Sequence, residues 1–279
     1  MHDIFYFTDI HGQYDLYHAI MDYCHEQDPE SMIIFGGDAI DRGESGYIIM
    51  KELLNNPQVV YLKGNHEDMF VHAAWMIQQD YRGDINEDNV NTYLLSYQMD
   101  DWAGNPIWLS LYNGGYPTLH DWMLDEMPSD IVDRINKLPL TFSYEKLDFC
   151  HAGGRYKEFQ RVSLCEYNGE FIDKDDLMML IWDRNYLGQG WMPDRTCIFG
   201  HTPVMHLAAK YYGKDKSIAA VHPCAYYATL DNKWTGRKID MDTGAVFTKR
   251  AFVLNVLTMK AYGFEIKNDV VEKIEVIQF

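Results

Sequence analysis

The chain of 279 residues is predicted to be an α/β protein whose first three strands form a parallel sheet. Two observations predict this fold class. Short apolar runs near the start alternate with longer segments in which apolar residues recur at helical spacing. Each run is also followed by glycine together with Asp, His or Asn. Strands separated by helices pair in parallel through helical crossovers, and ligands gather at the carboxyl ends of such strands.

The first strand is predicted at residues 3–8, and the first helix at 15–26, where Leu16, Ile20 and Tyr23 recur at helical spacing. The alternation continues with a strand at 32–35, a helix at 45–55, a strand at 59–62 and a helix that begins near Glu67. This β-α-β-α-β-α order favours parallel pairing of the three strands.

Residues 71–145 interrupt the alternation and are predicted to form a helical cap inserted beside the functional site. The segment is acidic and aromatic, and its helical stretches are separated by glycine-rich turns. Its tryptophans are Trp75, Trp102, Trp108 and Trp122. Such aromatic residues either stack on a base or, more often, form the core of the insertion itself.

The alternation resumes with a strand at 147–150, a helix at 175–182 and a strand at 196–199. From about 217 to 279 the sequence changes to short β-rich runs, and Asp242-Thr243-Gly244 indicates a tight turn. These runs predict a second, mainly antiparallel sheet packed against the first. Residues 1–279 are therefore interpreted as one domain with one insertion.

Charge and cysteine content restrict the functional classes. The chain has 24 basic and 42 acidic residues, a net charge of −18, which disfavours nucleic-acid binding. The five cysteines show no motif spacing, which is typical of free thiols in a reducing cytosol. The sequence shows no secretory signal and no apolar run near the roughly 20 residues that span a bilayer. We therefore expect a cytoplasmic protein without membrane or nucleic-acid partners.

Five short blocks offer metal-ligating side chains directly after predicted strands. Two Asp, three His and one Asn suit a pair of divalent transition metals, and such a pair favours in-line displacement at phosphorus. A single Asp here would more simply be a helix cap, but the whole set favours a metal centre. The blocks are Asp9-Ile10-His11-Gly12, 37–43 with Asp38, Gly64-Asn65-His66-Glu67, His151-Ala152-Gly153 and Gly200-His201-Thr202-Pro203.

These five ordered blocks resemble the calcineurin-like metallophosphoesterases, within them the phosphoprotein phosphatase branch with its bacterial serine/threonine phosphatases and diadenosine tetraphosphatase-like members. The resemblance runs from Asp3 to about Thr202, with a weaker similarity from Lys238 to Leu257. It implies the family's four-layer sandwich, in which two mixed β-sheets are flanked by helices, here with the helical cap insertion.

The resemblance also implies a ligand set for two divalent metal ions. Asp38 would bridge both ions and thereby support attack on phosphorus by a metal-bridging hydroxide. Manganese is the expected metal, while iron, zinc and cobalt suit the same ligands. The first ion would be bound by Asp9, His11 and Asp38, and the second by Asp38, Asn65, His151 and His201.

Four further residues match the family's catalytic groups. His66 and Asp41 correspond to its acid dyad, in which the imidazole protonates the departing oxygen. Arg42 and Arg184 correspond to phosphate clamps, because a guanidinium can hold two phosphoryl oxygens. Three alternatives stay open, namely that His66 is a third ligand, that Arg42 forms a salt bridge to Asp41 or Glu44, and that Arg184 forms a surface ion pair.

Weaker candidates also occur near the blocks. Lys63 and Arg195 could reach a phosphate, and His222 lies near a position where relatives place a further group of the metal region.

A serine/threonine protein phosphatase is the first functional interpretation. A symmetrical bis(5'-nucleosyl)-tetraphosphatase is the alternative, because both classes share every motif quoted. The substrate would be a phosphorylated protein or a small phosphate or nucleotide. A catalytically silent scaffold is the second alternative, although it would be expected to have lost ligands. The acidic charge argues against a nuclease or cyclic-nucleotide esterase.

Overall fold

A computed structural model describes residues 2–98, 104–185, 191–206, 224–230 and 233–279. Within these ranges, two mixed β-sheets pack face to face and helices cover their outer faces. The predicted α/β class and the two-sheet arrangement are therefore confirmed.

The first sheet contains the parallel strands that the start of the sequence predicts. Its strand order is β11-β10-β9-β1-β2-β3, in which β1, β2 and β3 run parallel and β9, β10 and β11 pair antiparallel. The strands are β1 (Ile4–Phe7), β2 (Met32–Phe35), β3 (Val59–Tyr61), β9 (Arg250–Asn255), β10 (Lys260–Lys267) and β11 (Val270–Gln278).

The second sheet has the order β4-β5-β6-β8-β7. Its three central strands, β5, β6 and β8, are parallel, and the edge strands β4 and β7 are antiparallel to their neighbours. The strands are β4 (Thr141–Tyr144), β5 (Leu147–Cys150), β6 (Thr196–Phe199), β7 (Cys224–Leu230) and β8 (Lys233–Asp240).

The prediction that the C-terminal runs form their own antiparallel sheet is wrong. They are divided between both sheets, because β8 pairs with β6 whereas β9 pairs with β1. Alternation of apolar and polar residues identifies a strand but not its partner. The predicted turn at 242–244 consequently passes the chain from one sheet to the other, and a one-turn helix, α10 (Ala245–Thr248), follows it.

Helices cover the outer face of each sheet. The outer face of the first sheet packs on α1 (Tyr14–Gln27), α2 (Gly46–Asn55) and α3 (Asn65–Asp80), and that of the second on α8 (Tyr156–Asn168) and α9 (Lys174–Ile181). Among the described residues, no helix is long and apolar enough to cross a membrane.

The segment predicted as a helical cap is helical only as far as Asn136. Strand β4 lies inside the predicted range 71–145 and belongs to the second sheet. Trp122 is fully buried and packs edge-on against Phe70 at 5.6 Å between ring centroids, so this tryptophan forms core. The helices are α4 (Glu87–Gln98), α5 (Pro106–Tyr112), α6 (Tyr116–Leu124) and α7 (Ser129–Asn136). The division into one domain with one insertion stays a prediction.

Alternate side chains of β1 build two different layers of core. Phe5 and Phe7 face α1 and the other helices, whereas Tyr6 faces the second sheet. Tyr6 packs against Phe149 of β5, with 5.4 Å between ring centroids. The period of two along a strand therefore produces a helix–sheet–sheet–helix sandwich.

The described cysteine side chains are free thiols, as predicted. Cys24, Cys150 and Cys197 are buried and Cys165 is half-buried. The Sγ atoms of Cys150 and Cys197 are 4.0 Å apart, well beyond a disulfide bond length.

Candidate metal centre

The five sequence blocks meet at one end of the sandwich, at the carboxyl ends of parallel strands from both sheets. Two hydrogen bonds cross between the sheets there. The backbone N–H of His201 donates to the Asp9 carboxylate at 3.0 Å, and Nδ1 of His151 donates to the carbonyl of Gly36 at 2.8 Å. In strand order, β1 precedes Asp9 and His11, β2 precedes Asp38, β3 precedes Asn65, β5 precedes His151 and β6 precedes His201.

Asp38 lies at the junction of two groups of candidate ligands. Its Oδ2 is 3.6 Å from Nε2 of His11, and its Oδ1 is 3.3 Å from Nε2 of His151. One group joins Asp38 to His11 and His66, the other joins it to His151 and His201, and all ligand atoms within a group lie within 4.8 Å of one another. A carboxylate shared by both groups is positioned to bridge two cations.

Three of the histidines are oriented by backbone carbonyls. In each ring one nitrogen donates to a carbonyl, which leaves the other nitrogen facing the cluster, and this is the usual orientation of a metal-binding imidazole. The carbonyls are Ile40 O for His11 at 2.8 Å, Gly36 O for His151 at 2.8 Å and Trp182 O for His201 at 3.2 Å.

Asn65 places its side-chain oxygen between two of these rings. Oδ1 lies 2.8 Å from Nδ1 of His201 and 3.1 Å from Nε2 of His151. Lone-pair atoms about 3 Å apart are spaced as neighbouring ligands of one ion with bonds of about 2.1 Å. The donor set therefore fits the divalent ions that the sequence implies.

The charges inside the cluster are strongly coupled. Burial alone would raise the pKa of Asp38, but the nearby histidines outweigh it and hold the pKa well below its usual range. Burial would lower the pKa of His151, yet the carboxylates of Asp38 and Asp9 raise it to about 10. Burial and neighbouring cations depress the pKa values of His11 and His201. The lowered pKa values favour the neutral form of these two rings, which is the form that binds metals.

Asp9 lies beside the cluster with its carboxylate already hydrogen-bonded. Oγ1 of Thr8 and the N–H of His201 both donate to its Oδ2, at 2.6 and 3.0 Å. Among the described residues, Asp9 belongs to neither ligand group. Burial, with smaller and opposing effects of His151 and Asp38, raises its pKa to about 6.

His66 differs from the other histidines because a carboxylate orients it. Its Nδ1 donates to Oδ2 of Asp41 at 2.6 Å, and both side chains are buried. Burial opposes protonation, but the charges of Asp38 and Asp41 outweigh it and raise the pKa of His66. Nε2 lies 3.9 Å from Oδ2 of Asp38, so the geometry is compatible both with a proton donor and with a ligand.

The exposed Arg42 guanidinium lies across the mouth of the site. Nη1 donates to Nε2 of His11 at 2.7 Å, and Nη2 donates to Nε2 of His66 at 2.8 Å. Among the described ion pairs, none joins Arg42 to Asp41 or Glu44. The arginine therefore faces the cluster, as a phosphate clamp would.

Arg184 is exposed on the other side of the mouth. Its Nη2 donates to the carbonyl of His201 at 3.4 Å, and its Nε lies 3.2 Å from Nε2 of the same residue. This contact with a candidate ligand places the guanidinium at the site, and the ion pairs of the described residues do not include Arg184.

The structure gives two of the weaker candidates other contacts. Arg195 forms an ion pair with Asp148, with Nε donating to Oδ2 at 2.7 Å, at the opposite end of β5 from His151. Lys63 is buried and donates to the carbonyl of Asn136 at 2.7 Å. Both placements correct the sequence interpretation. His222 lies outside the described residues.

Backbone conformation is unusual at most of the candidate site residues. Asp38 has a φ of 59° and Asp41 of 70°, in the left-handed region that non-glycine residues rarely adopt. Strained backbone of this kind clusters at functional sites. The other candidate residues with left-handed φ are Asp9 at 54°, His11 at 44°, Arg42 at 67° and His201 at 70°.

Glu67 is a site residue to which the sequence analysis assigned no role. Its buried carboxylate accepts hydrogen bonds from the N–H groups of Asp38, Ala39 and Gly64, each at 2.9 Å. It thereby ties the loops after β2 and β3 together. Its position in the Gly64-Asn65-His66-Glu67 block, next to candidate site residues, was the sequence signal that could have identified it.

Lys238 is a second residue without an assigned role. Its side chain is fully buried, and Nζ donates to the carbonyls of Gly153 and Gly154 at 2.7 Å each. Burial lowers the pKa of this amine to about 8. The two carbonyls lie two and three residues after His151, so Lys238 fixes the segment that carries a candidate ligand.

Lys238→Met is expected to weaken Mn²⁺ binding by about 10- to 100-fold, the usual effect of losing a residue that orients a ligand. A smaller change is expected in the free energy of unfolding, because removal of a buried charge and loss of two hydrogen bonds have opposite effects on it. Isothermal titration with Mn²⁺ measures the effect, and Lys260→Met, at an exposed lysine of β10, is the control. Unchanged Mn²⁺ affinity in Lys238→Met would contradict the orienting role.

One family sequence model matches most of the chain. The sequence model for calcineurin-like phosphoesterases matches residues 2–221. No curated protein matches the chain in sequence.

Solved structures of three proteins align with nearly the whole chain at low identity. A cold-active protein tyrosine phosphatase is 14% identical, with 98% of this chain and 78% of that chain aligned and a TM-score of 0.50. A proposed diadenosine tetraphosphatase is 12% identical over 98% and 93%, with a TM-score of 0.48. A serine/threonine phosphatase from Saccharomyces cerevisiae is 13% identical over 100% and 81%, with a TM-score of 0.46. Likeness at these identities concerns the fold alone.

Proposed function

Given that the chain belongs to the calcineurin-like phosphoesterase family and is a metal-dependent phosphoesterase, we propose that it is a serine/threonine protein phosphatase. The arrangement of buried and exposed groups carries this proposal. The candidate ligands are buried, whereas Arg42 and Arg184 are exposed on either side of them. A phosphorylated side chain on a protein surface can reach such a site without being enclosed.

The proposed roles of the residues follow from their contacts. Arg42 and Arg184 bind the non-bridging oxygens of the phosphoryl group and stabilise charge that develops on them. His66 protonates the departing alkoxide, and Asp41 holds the imidazole in the required tautomer. The six proposed ligands would hold two divalent cations, with manganese the expected metal. When bound, such cations act as Lewis acids and lower the pKa of the attacking water.

A cavity next to the site supports a peptide substrate. It has a volume of about 350 Å³, and its apolar wall includes Met69, Leu109, Met178 and Trp182. The Trp182 ring packs edge-on against His201 at 6.3 Å between centroids, so the cavity adjoins the candidate ligands. It would accommodate an apolar side chain next to the phosphorylated residue.

A specific observation favours the alternative, a symmetrical bis(5'-nucleosyl)-tetraphosphatase. Trp108 and Tyr112 stack on each other at 4.9 Å between centroids, and Tyr112 is 74% exposed. Both lie on α5, which precedes the turn that contacts Arg42. An exposed aromatic stack of this kind suits a nucleobase.

Product analysis distinguishes the two substrates. Mn²⁺-loaded protein is incubated in parallel with a phosphoserine peptide and with diadenosine tetraphosphate. We expect inorganic phosphate from the peptide and little change in the dinucleotide. Conversion of the dinucleotide to ADP with the peptide intact would establish the alternative. A protein that bound Mn²⁺ but cleaved neither compound would favour the silent scaffold.

A cytoplasmic location belongs to the same proposal. It is supported by the free thiols of Cys24, Cys150, Cys165 and Cys197, which suit a reducing compartment.

A further inference from the structure

The two strained residues Asp41 and Arg42 are held by the helical insertion. The N–H of Asp41 donates to Oγ1 of Thr118 at 3.0 Å, and the N–H of Arg42 donates to the carbonyl of Gly114 at 2.8 Å. Asp41 and Arg42 both have left-handed backbone, with φ of 70° and 67°. Such a conformation persists only where the surroundings impose it.

The turn that carries Gly114 approaches Arg42 too closely for a side chain. A Cβ on Gly114 would lie 2.9 Å from Cγ of Arg42 and 3.2 Å from its backbone nitrogen. Gly114 also has a φ of +92°, which favours glycine. Its own N–H donates to Leu111 O at 3.0 Å, so the turn is closed onto α5.

The helix that carries Thr118 is fixed to the rest of the molecule at two other places. Trp122 of α6 packs on Phe70 of α3, and Asp125 at the end of α6 accepts a hydrogen bond of 2.6 Å from Tyr47 of α2. Thr118 itself is buried. The insertion is therefore a firm support for the loop that it contacts.

We infer that Thr118 and Gly114 are positioning residues, through which the insertion aligns the acid dyad and the phosphate clamp. The inference rests on the proposed roles of Asp41, His66 and Arg42. Thr118 fixes the backbone of Asp41, which orients His66, and Gly114 fixes the backbone of Arg42. Proton donation and phosphate binding both need accurate placement, and a shift of about 1 Å can cost about 100-fold in rate.

The first test replaces the hydroxyl that accepts the Asp41 N–H. Thr118→Val keeps the shape of the side chain and removes the acceptor, whereas Thr118→Ser retains it. Each Mn²⁺-loaded variant is assayed with a simple alkyl phosphate and with 2,4-dinitrophenyl phosphate. The alkoxide needs a proton to leave, but dinitrophenolate does not. We expect Thr118→Val to lower kcat about 10-fold or more on the alkyl ester, with little change on the aryl ester, and Thr118→Ser to behave as wild type.

The second test displaces Arg42 by a substitution at Gly114. Gly114→Ala is expected to raise KM several-fold for both esters, because Arg42 must shift away from the new methyl group. Gly169→Ala is the matched control, since Gly169 also has a left-handed φ, of +68°, but no atom lies within 4 Å of the position of its Cβ. The control carries the same kind of backbone strain without touching the site.

Two results would overturn the inference. If Thr118→Val and Thr118→Ser lost activity equally on both esters, Thr118 would have only a structural role. If kcat and KM were unchanged in Thr118→Val and Gly114→Ala, neither residue would position the catalytic groups. Failure of the wild type on phosphoserine peptide, with the small esters hydrolysed, would refute the protein phosphatase proposal alone. The comparison of the two esters would still decide the positioning role.

Discussion

Asp38→Asn is expected to lower kcat/KM by about 1,000-fold or more and to reduce bound Mn²⁺ from two ions per chain. Asp38 belongs to both ligand groups, so one substitution removes a charged ligand from both. A metal contributes several kcal/mol of transition-state stabilisation, and each 1.36 kcal/mol corresponds to a tenfold rate.

The measurements are phosphoesterase kinetics and metal content by mass spectrometry after gel filtration. Asp148→Asn is the matched control, because Asp148 is equally buried but pairs with Arg195 at the far end of β5. That control should lose thermal stability and keep its metals. Normal turnover with a full metal complement in Asp38→Asn would refute the bridging role.

The second large effect is expected for His66→Asn. If His66 donates the proton to the leaving group, kcat should fall about 100- to 10,000-fold on an alkyl phosphate, the usual contribution of general acid catalysis. The loss should be much smaller on 2,4-dinitrophenyl phosphate. Metal content should stay that of the wild type, because a proton donor does not bind the ions.

The same variant tests the other interpretation of His66. Its Nε2 lies within the ligand group of His11 and Asp38, and loss of one metal in His66→Asn would make it a ligand. His18→Asn is a suitable control, because His18 lies on α1 and pairs with Glu52. A wild-type rate on the alkyl ester would exclude both roles.

Local periodicity was sufficient to predict the first three strands and the two helices between them. The helices at 15–26 and 45–55 and the strands at 3–8, 32–35 and 59–62 all match the structure to within two residues. Their parallel pairing follows from the alternation alone. The partners of β8 and β9 could not be predicted, because pairing between strands distant in sequence depends on which sheet edges are free rather than on local pattern.

The candidate site was predictable to the extent that its residues occur in blocks. His11, Asp38, His151 and His201 converge as expected from strands that end at the same edge. Supporting contacts were not predictable. Thr118 and Lys238 act on residues distant in sequence, and their own residue types are common elsewhere. Left-handed φ values likewise depend on tertiary contacts that no local pattern of Asp or Arg reveals.

The position of β1 between β2 and β9 has a consequence for synthesis of the chain. Phe5 pairs with Asn255, so β1 is synthesised about 250 residues before its partner β9. Until then, one edge of β1 and the apolar faces around it stay exposed, which favours aggregation of the nascent chain. Closure of the sheet is therefore a late event dominated by long-range contacts, and such folding is slow. We expect a chain shortened after residue 221, where the match to the family model ends, to depend on chaperones to stay in solution.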